Sequence, residues 1–456
     1  VRFPLSAAGR VALAARAGFP MVRQAFETED PVGVAALLLA DPKSSRRHLG
    51  AAGVRREVER LLRESFGFVA PPSLDELRPA LARWVLFSEF AFDVEGKVPA
   101  QTAHVGRAAA PFERAIYALC DRLRATEGWR DAYVELANEV EAALHLGAIA
   151  EDVFPWGKRD TFAAEDRAAL RYVQARCLEG DLAEARRTLD LRRRSIWLHD
   201  PVRNQLWQLA LRCLELLEAC GAWEARVVPG ARPVKEHVLA YQSPDDGLWR
   251  VDRAQRWMER AGGDCVEREV LQGLFEHARG AWRKAAESAQ AAFVDAVARE
   301  GWPPDVTRQT QVFSKYVAPP LQGGEKTAYF LMDALRFEMG RDLAALLKRY
   351  GEVKVEVAAS VVPATTTFGM AALLPGAEVD FQCVEREGEL VPSVGGRAVA
   401  NVSDRCGVFR ERYGDRFVDV RLDHLLEAKA SGLRQKLGRA DFIVVRSDDI
   451  DRAGEG

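Results

Sequence analysis

Up to about residue 310, apolar positions recur at steps of three and four, the period of a helix with one buried face. RREVERLLRESFGF and LRPALARWVLFSEFAF show it, and HDPVRNQLWQLALRCLELLEACG shows it most clearly. In that stretch Asp200 can cap, Pro201 suits the first helical position and Gly221 can terminate. Leu206, Leu209, Cys213, Leu216, Leu217 and Cys220 then share a face. Trp282, Ala285, Ala289, Phe293 and Val297 repeat the pattern in a helix that should stop at Gly301 and Pro303. EGDLAEARRTL resembles one helical-hairpin repeat, but no second copy follows at a fixed period, so a solenoid is not expected. Two loop-rich stretches, GAIAEDVFPWGKRD and VVPGARPVKEHVLAYQSPDDG, interrupt the helices. The first predicts a domain boundary near residue 150.

At about residue 316 the period changes. KTAYFLMD reads as a short strand ending in Asp333, and ALRFEMGRDLAALLKRYG as the helix after it. VKVEVAAS reads as a second strand, TFGMAALL as a short helix and ADFIVVRS as a third strand. Alternating strands and helices predict βαβ units with a parallel sheet. Such sheets carry their chemistry at the carboxyl ends of the strands, where Asp333 and the loop 360–367 fall.

Composition narrows the function classes. Apolar residues make up 48% of 456, enough for a large core, and the net charge of -3 argues against a protein that coats nucleic acid by bulk charge. No run approaches the roughly 18 apolar residues of a membrane span, and no signal-peptide pattern is present. Seven scattered cysteines without a CxxC pair predict buried free thiols in a reducing cytoplasm. The histidines show no zinc-ligand spacing. Arg186, Arg187, Arg192, Arg193 and Arg194 form a basic cluster that fits either a solvated helix face or a DNA-facing patch. Trp197 is its main candidate for base stacking. The start at Val1 without a methionine and the end at SDDIDRAGEG predict a piece of a longer protein.

Two short segments hold the candidate chemistry. Asp333, closing a strand, is either a cap for the next helix or a carboxylate paired with a metal. Thr365, Thr366 and Thr367 sit in VVPATTTFGMAALLPG. A threonine there either caps the short helix or presents a hydroxyl that a metal or base could activate beside a bound phosphate. AYFLMDALRFEM, VVPATTTFGMAALLPG and DFIVVRSDDIDRAGE, in that order, resemble the PglZ family of the alkaline phosphatase superfamily, over about residues 320–456. PglZ proteins occur in BREX phage-defence systems and as response-regulator output domains. No receiver domain is visible here, which favours the BREX type.

The resemblance implies a two-metal phosphoryl-transfer site, using zinc or another divalent ion, with Asp333 as a metal ligand. It implies a nucleophilic Thr366, three residues after Pro363 and itself metal-bound, followed by Gly369 and Met370. Arg336, the second fixed member of a D-x-x-R pattern, would touch the substrate phosphate; the alternative is a surface arginine paired with Glu338. The family's further Asp and His ligands have no counterpart here. His424 is the only histidine after Asp333, and Asp448, Asp449 and Asp451 are expected to cap a helix. The chain should therefore hold half of an active site and be inactive alone. The expected fold is α+β multidomain: helical regions 1–150 and 151–315, then a truncated α/β alkaline-phosphatase-like domain with a mostly parallel sheet over 316–456. The expected function of the intact protein is a metal-dependent phosphohydrolase or phosphodiesterase of a BREX-type system. Its partners would be other BREX proteins, with DNA or an oligonucleotide as substrate and no membrane. The alternative is a non-catalytic scaffold of the defence complex.

Overall fold

Helices fill the described chain up to Gln322, and the first strand begins at Thr327. The structure is a computed structural model and describes residues 18–226, 232–302, 305–386, 388–429, 431–432 and 437–455. These residues form two compact units. One comprises residues up to 218 together with 255–281, and the other comprises 219–254 together with the chain from 282 onward.

The helical period is realised closely. The Pro201–Arg226 helix begins as its sequence dictates, with Asp200 Oδ1 accepting from Val202 N at 2.9 Å and Arg203 N at 3.1 Å. Gly221 does not end it. Trp223, also buried, extends the apolar face, and this outweighs the roughly 1 kcal/mol that an interior glycine costs. The Gln272–Glu300 helix stops at Gly301, which takes φ +73°; Pro303 lies outside the described residues. Pro79 is accommodated inside the Leu74–Asp93 helix, in its second turn.

The first unit is built around Phe87, Phe90 and Phe162, all fully buried, with Phe90 stacked against Phe154 at 5.7 Å. Phe154 belongs to the loop 149–162 that reads as a boundary in sequence; the loop lies within this unit. Two ionic networks cross its interior. Glu89, wholly buried, accepts from Arg124, Arg159, Tyr133 and Thr161 at 2.6–3.2 Å. Arg192, also wholly buried, donates to Asp160 Oδ1 at 3.1 Å and to the Gly157 carbonyl at 2.8 Å. This corrects the reading of Arg192 as part of a surface patch. Its neighbours Arg186 and Arg187 pair with Glu218 and Glu184. Trp197 is likewise buried, with Nε1 donating to the Asp160 carbonyl, and offers no face for a base.

The Arg192 network has a consequence for pH. Glu165 lies 3.9 Å from Arg192, too far for a hydrogen bond, so burial prevails and its carboxyl is pushed up to about 8. Burial likewise pushes Asp166 up to about 6. The fold thus holds these protons more tightly than the unfolded chain does. That stabilisation is complete below the ordinary carboxyl range and is lost as pH rises toward 8, over a window worth up to a few kcal/mol. The melting temperature should therefore fall between pH 5 and 8, and Glu165→Gln should flatten the fall. A variant that melts with the wild-type pH slope would remove Glu165 as its cause.

The second unit carries two sheets. One is parallel, in the order β1 (Thr327–Met332), β6 (Phe442–Ser447), β5 (Phe417–Arg421). Its register pairs Thr327 with Phe442 and Phe417 with Phe442. Phe442 therefore sits centrally, in an aromatic cluster with Phe313, Phe409, Tyr413 and Phe417 at ring separations of 4.9–6.1 Å. Each such pair adds about 0.5–1.5 kcal/mol beyond its buried area. The other sheet is antiparallel, β2 (Phe381–Arg386), β3 (Glu389–Val394) and β4 (Arg397–Ala398), and was not expected. Gly395 and Gly396 turn β3 into β4 at φ +60° and +73°, the left-handed pair that tight hairpins require.

Residues 353–360, read as a strand, do not join a sheet. Their exposure alternates as the sequence alternates, but a ladder needs a neighbouring backbone. Among the described residues one bridge, Arg308 to Ala359, is all that forms here. Six of the seven thiols are buried and none is paired; Cys383 is exposed. Among the described residues no helix is long and apolar enough to cross a membrane.

Candidate active site

Because β1, β5 and β6 run parallel, their carboxyl ends meet at one edge. Leu331, Arg446 and Arg421 lie level across the three strands, and Asp333 continues the ladder, its N–H donating to the Ser447 carbonyl at 2.9 Å. The next helix does not begin at Asp333. Ala334 takes φ +55°, and the helix runs Phe337–Leu347 with Arg336 at its cap position. Asp333 therefore caps nothing there. Its Oδ1 accepts from Ala334 N at 3.0 Å and from Thr366 Oγ at 3.4 Å.

Thr366 opens the Thr366–Ala372 helix, which Phe368, Ala371 and Ala372 anchor in the core. Thr365 holds the N-cap position, but its side chain makes no capping bond. Gln309, unremarked in the sequence, staples this loop. Its Nε2 donates to the Gly369 carbonyl at 3.1 Å and its Oε1 accepts from Val361 N at 3.2 Å. The two ends of the threonine loop are thereby tied to one side chain, which fixes where Thr366 stands.

Asp333 and Thr366 line a cleft of about 300 Å³ with Leu331, Met370, Val402, Arg405, Arg421, Arg446, Ser447, Asp448 and Asp451. Arg336 is not among them. It is 52% exposed and forms an ion pair with the buried Glu338, its Nε 2.9 Å from a carboxylate oxygen. His424 is exposed and also lies outside the cleft lining. Asp449 opens the Asp449–Glu455 helix, accepts from Ser447 Oγ at 2.7 Å and pairs with Arg452. Asp448 and Asp451 face the cleft instead.

The three arginines were missed in the sequence, because β5 was not recognised as a strand and the end of β6 was read for its aspartates. They are not equivalent. Arg446 donates to both oxygens of Asp419 at 2.5 and 2.8 Å, a bidentate pair that raises its affinity for its proton. Arg421 donates to Asp423 at 3.0 Å and to Asp448 at 3.5 Å; its hydrogen bonds to Asp423 raise it and lower Asp423 in return. Arg405, on the first turn of the Val402–Tyr413 helix, is half-buried, and burial lowers it.

Two oxygen donors, from Asp333 and Thr366, suit a hard or borderline divalent cation. A zinc site wants about three or four protein ligands. Among the described residues no three His, Cys, Asp or Glu side chains converge as ligands would. The two donors present would make only part of such a site.

Residues 312–456 match the sequence model of PglZ, described as the BREX system PglZ alkaline phosphatase-like domain. The alkaline phosphatase-like protein BrxZ of Escherichia coli O9:H4 (strain HS) is 26% identical over 156 residues, 33% of this chain. The match spans 17% of that relative's length. No solved structure matches the chain.

Proposed function

We propose that residues 312–456 contribute the nucleophile half of a phosphoryl-transfer site in a BREX-type phage-defence protein, with Thr366 as the attacking residue. The observation that carries this reading is the Thr366 hydroxyl donating to Asp333 at the carboxyl edge of a parallel sheet. In this reading Asp333 accepts the hydroxyl's hydrogen bond, aims its oxygen into the cleft and serves as the first ligand of a divalent ion, zinc or another. Such an ion, when bound, lowers the hydroxyl pKa and screens the phosphate charge. Arg336 would reach a substrate only on leaving Glu338. The substrate class proposed is a phosphodiester of DNA or an oligonucleotide, the partners are other BREX proteins, and the compartment is the cytoplasm.

In the intact protein with a divalent ion, Asp333→Ala should reduce hydrolysis of bis(p-nitrophenyl) phosphate by roughly 10²–10⁴-fold. It should also remove the dependence of rate on metal concentration. This chain alone should take up zinc weakly in a calorimetric titration, and tight stoichiometric uptake would contradict a two-donor site. The second reading, a scaffold, draws on the same incomplete donor set. It becomes the better one if the intact protein is inert toward phosphodiesters with metal present.

A further inference from the structure

The cleft holds three guanidinium groups, and two are already committed. Asp419 engages both faces of the Arg446 fork, and Asp423 with Asp448 occupies Arg421. Arg405 differs. Among the described residues its guanidinium forms no hydrogen bond and no ion pair. Its sequence neighbour Asp404 is spent on the helix start, accepting from Ala400 N at 3.1 Å and Asn401 N at 3.4 Å. That capping box fixes the first helical turn and with it the stem of Arg405.

A half-buried guanidinium without a counter-ion is costly, and Arg446 close by makes it more so. Asp333 is the acidic side chain of the cleft nearest in effect, and it is turned toward Thr366 and Ala334. What the position lacks is an anion with oxygens spaced for a planar fork. Phosphate has that geometry.

We infer that Arg405 is the anion clamp of this cleft, binding the non-bridging oxygens of a phosphoryl group placed for Thr366. The inference rests on the phosphoryl-transfer reading, and it assigns the substrate contact to a residue other than Arg336. The observation behind it is that Arg405 lines the cleft with Asp333 and Thr366 and stands unpaired there, whereas Arg336 is held by Glu338. Arg421 and Arg446 then serve as fixed positive walls, each tied to its own carboxylate.

The test is calorimetric titration of inorganic phosphate into this chain, with sulfate as a second oxyanion. Arg405→Ala should weaken phosphate by about tenfold or more, the worth of a charge-assisted contact. Arg405→Lys should recover part of the loss, since it restores charge without the fork. Arg405→Ala should weaken phosphate more than Arg336→Ala does, with circular dichroism and melting confirming that both variants fold. In the intact protein Arg405→Ala should raise KM more than it lowers kcat. Absence of saturable phosphate binding by the wild-type chain, equal affinity in Arg405→Ala, or the reverse order of the two arginine variants would each overturn the clamp. The two proposals fail separately. Phosphate bound through Arg405 in a protein that hydrolyses no diester leaves the clamp and removes the nucleophile. Hydrolysis that needs Thr366 but ignores Arg405 does the opposite.

Discussion

Thr366→Ala abolishes phosphodiester hydrolysis by the intact, metal-supplied protein, while Thr365→Ala and Thr367→Ala keep most of it; this is the expected result of an alanine scan through the triplet. Loss of a covalent nucleophile costs on the order of 10⁴-fold or more in rate. Of the three hydroxyls, the Thr366 oxygen is the one that reaches Asp333. Thr366 is exposed, so its replacement should leave the fold intact and the loss should fall on kcat. Thr365 makes no capping bond, so even the roughly 1 kcal/mol expected for a lost cap is an upper bound there. Rates for the three variants, measured on one diester at one metal concentration, decide the matter. Full activity in Thr366→Ala with loss in a neighbour would move the nucleophile by one residue.

The largest effect on stability is expected at Arg192, far from any catalytic proposal in sequence. Arg192→Met removes the cation between Asp160, Glu165 and Asp166, which lie 3.1–3.9 Å from it. It also removes the stack on Trp156 at 5.5 Å. Breaking a buried pair by deleting one partner costs about 3–5 kcal/mol, because the charges left behind have no water. For a chain of this size that corresponds to a drop in melting temperature of about 3–5 °C. The carboxyls would take up protons instead, so the loss should be greater at pH 8 than at pH 5. Melting within a degree of wild type at both pH values would show that the carboxylates are solvated.

Much of this arrangement can be read from residue order, and the parts that cannot have physical reasons. KTAYFLMD and ADFIVVRS are continuous apolar runs, and they are the two strands that pair at the heart of the parallel sheet. The conjunction of Asp333 and Thr366 is expected from placing both at strand ends; it is present, although 353–360, the strand meant to deliver Thr366, joins no sheet. VKVEVAAS has the right alternation, yet alternation specifies an extended backbone with one half-buried face and not a partner to pair with. FVDVR is too short and too charged to declare itself, so β5 and Arg421 were lost together. The Gly395-Gly396 pair did announce a hairpin and was passed over. Arg192 shows the limit of charge counting: whether an arginine in a basic run faces water depends on carboxylates at positions 160, 165 and 166, which only the folded chain brings to it.

The strand order has a bearing on how the chain is made. β6, the central strand, is the last of these three strands to leave the ribosome, while both of its partners precede it. β1 must wait for Phe442 before Thr327 has a neighbour, and β5 waits for the same strand. Pairing across such a separation is slow, and unpaired strands are prone to association in the meantime. Phe330, 52% exposed even in the finished sheet, is uncovered throughout that interval. A nascent chain of this protein therefore carries two orphan strands until β6 emerges, the stage at which a chaperone has most to protect.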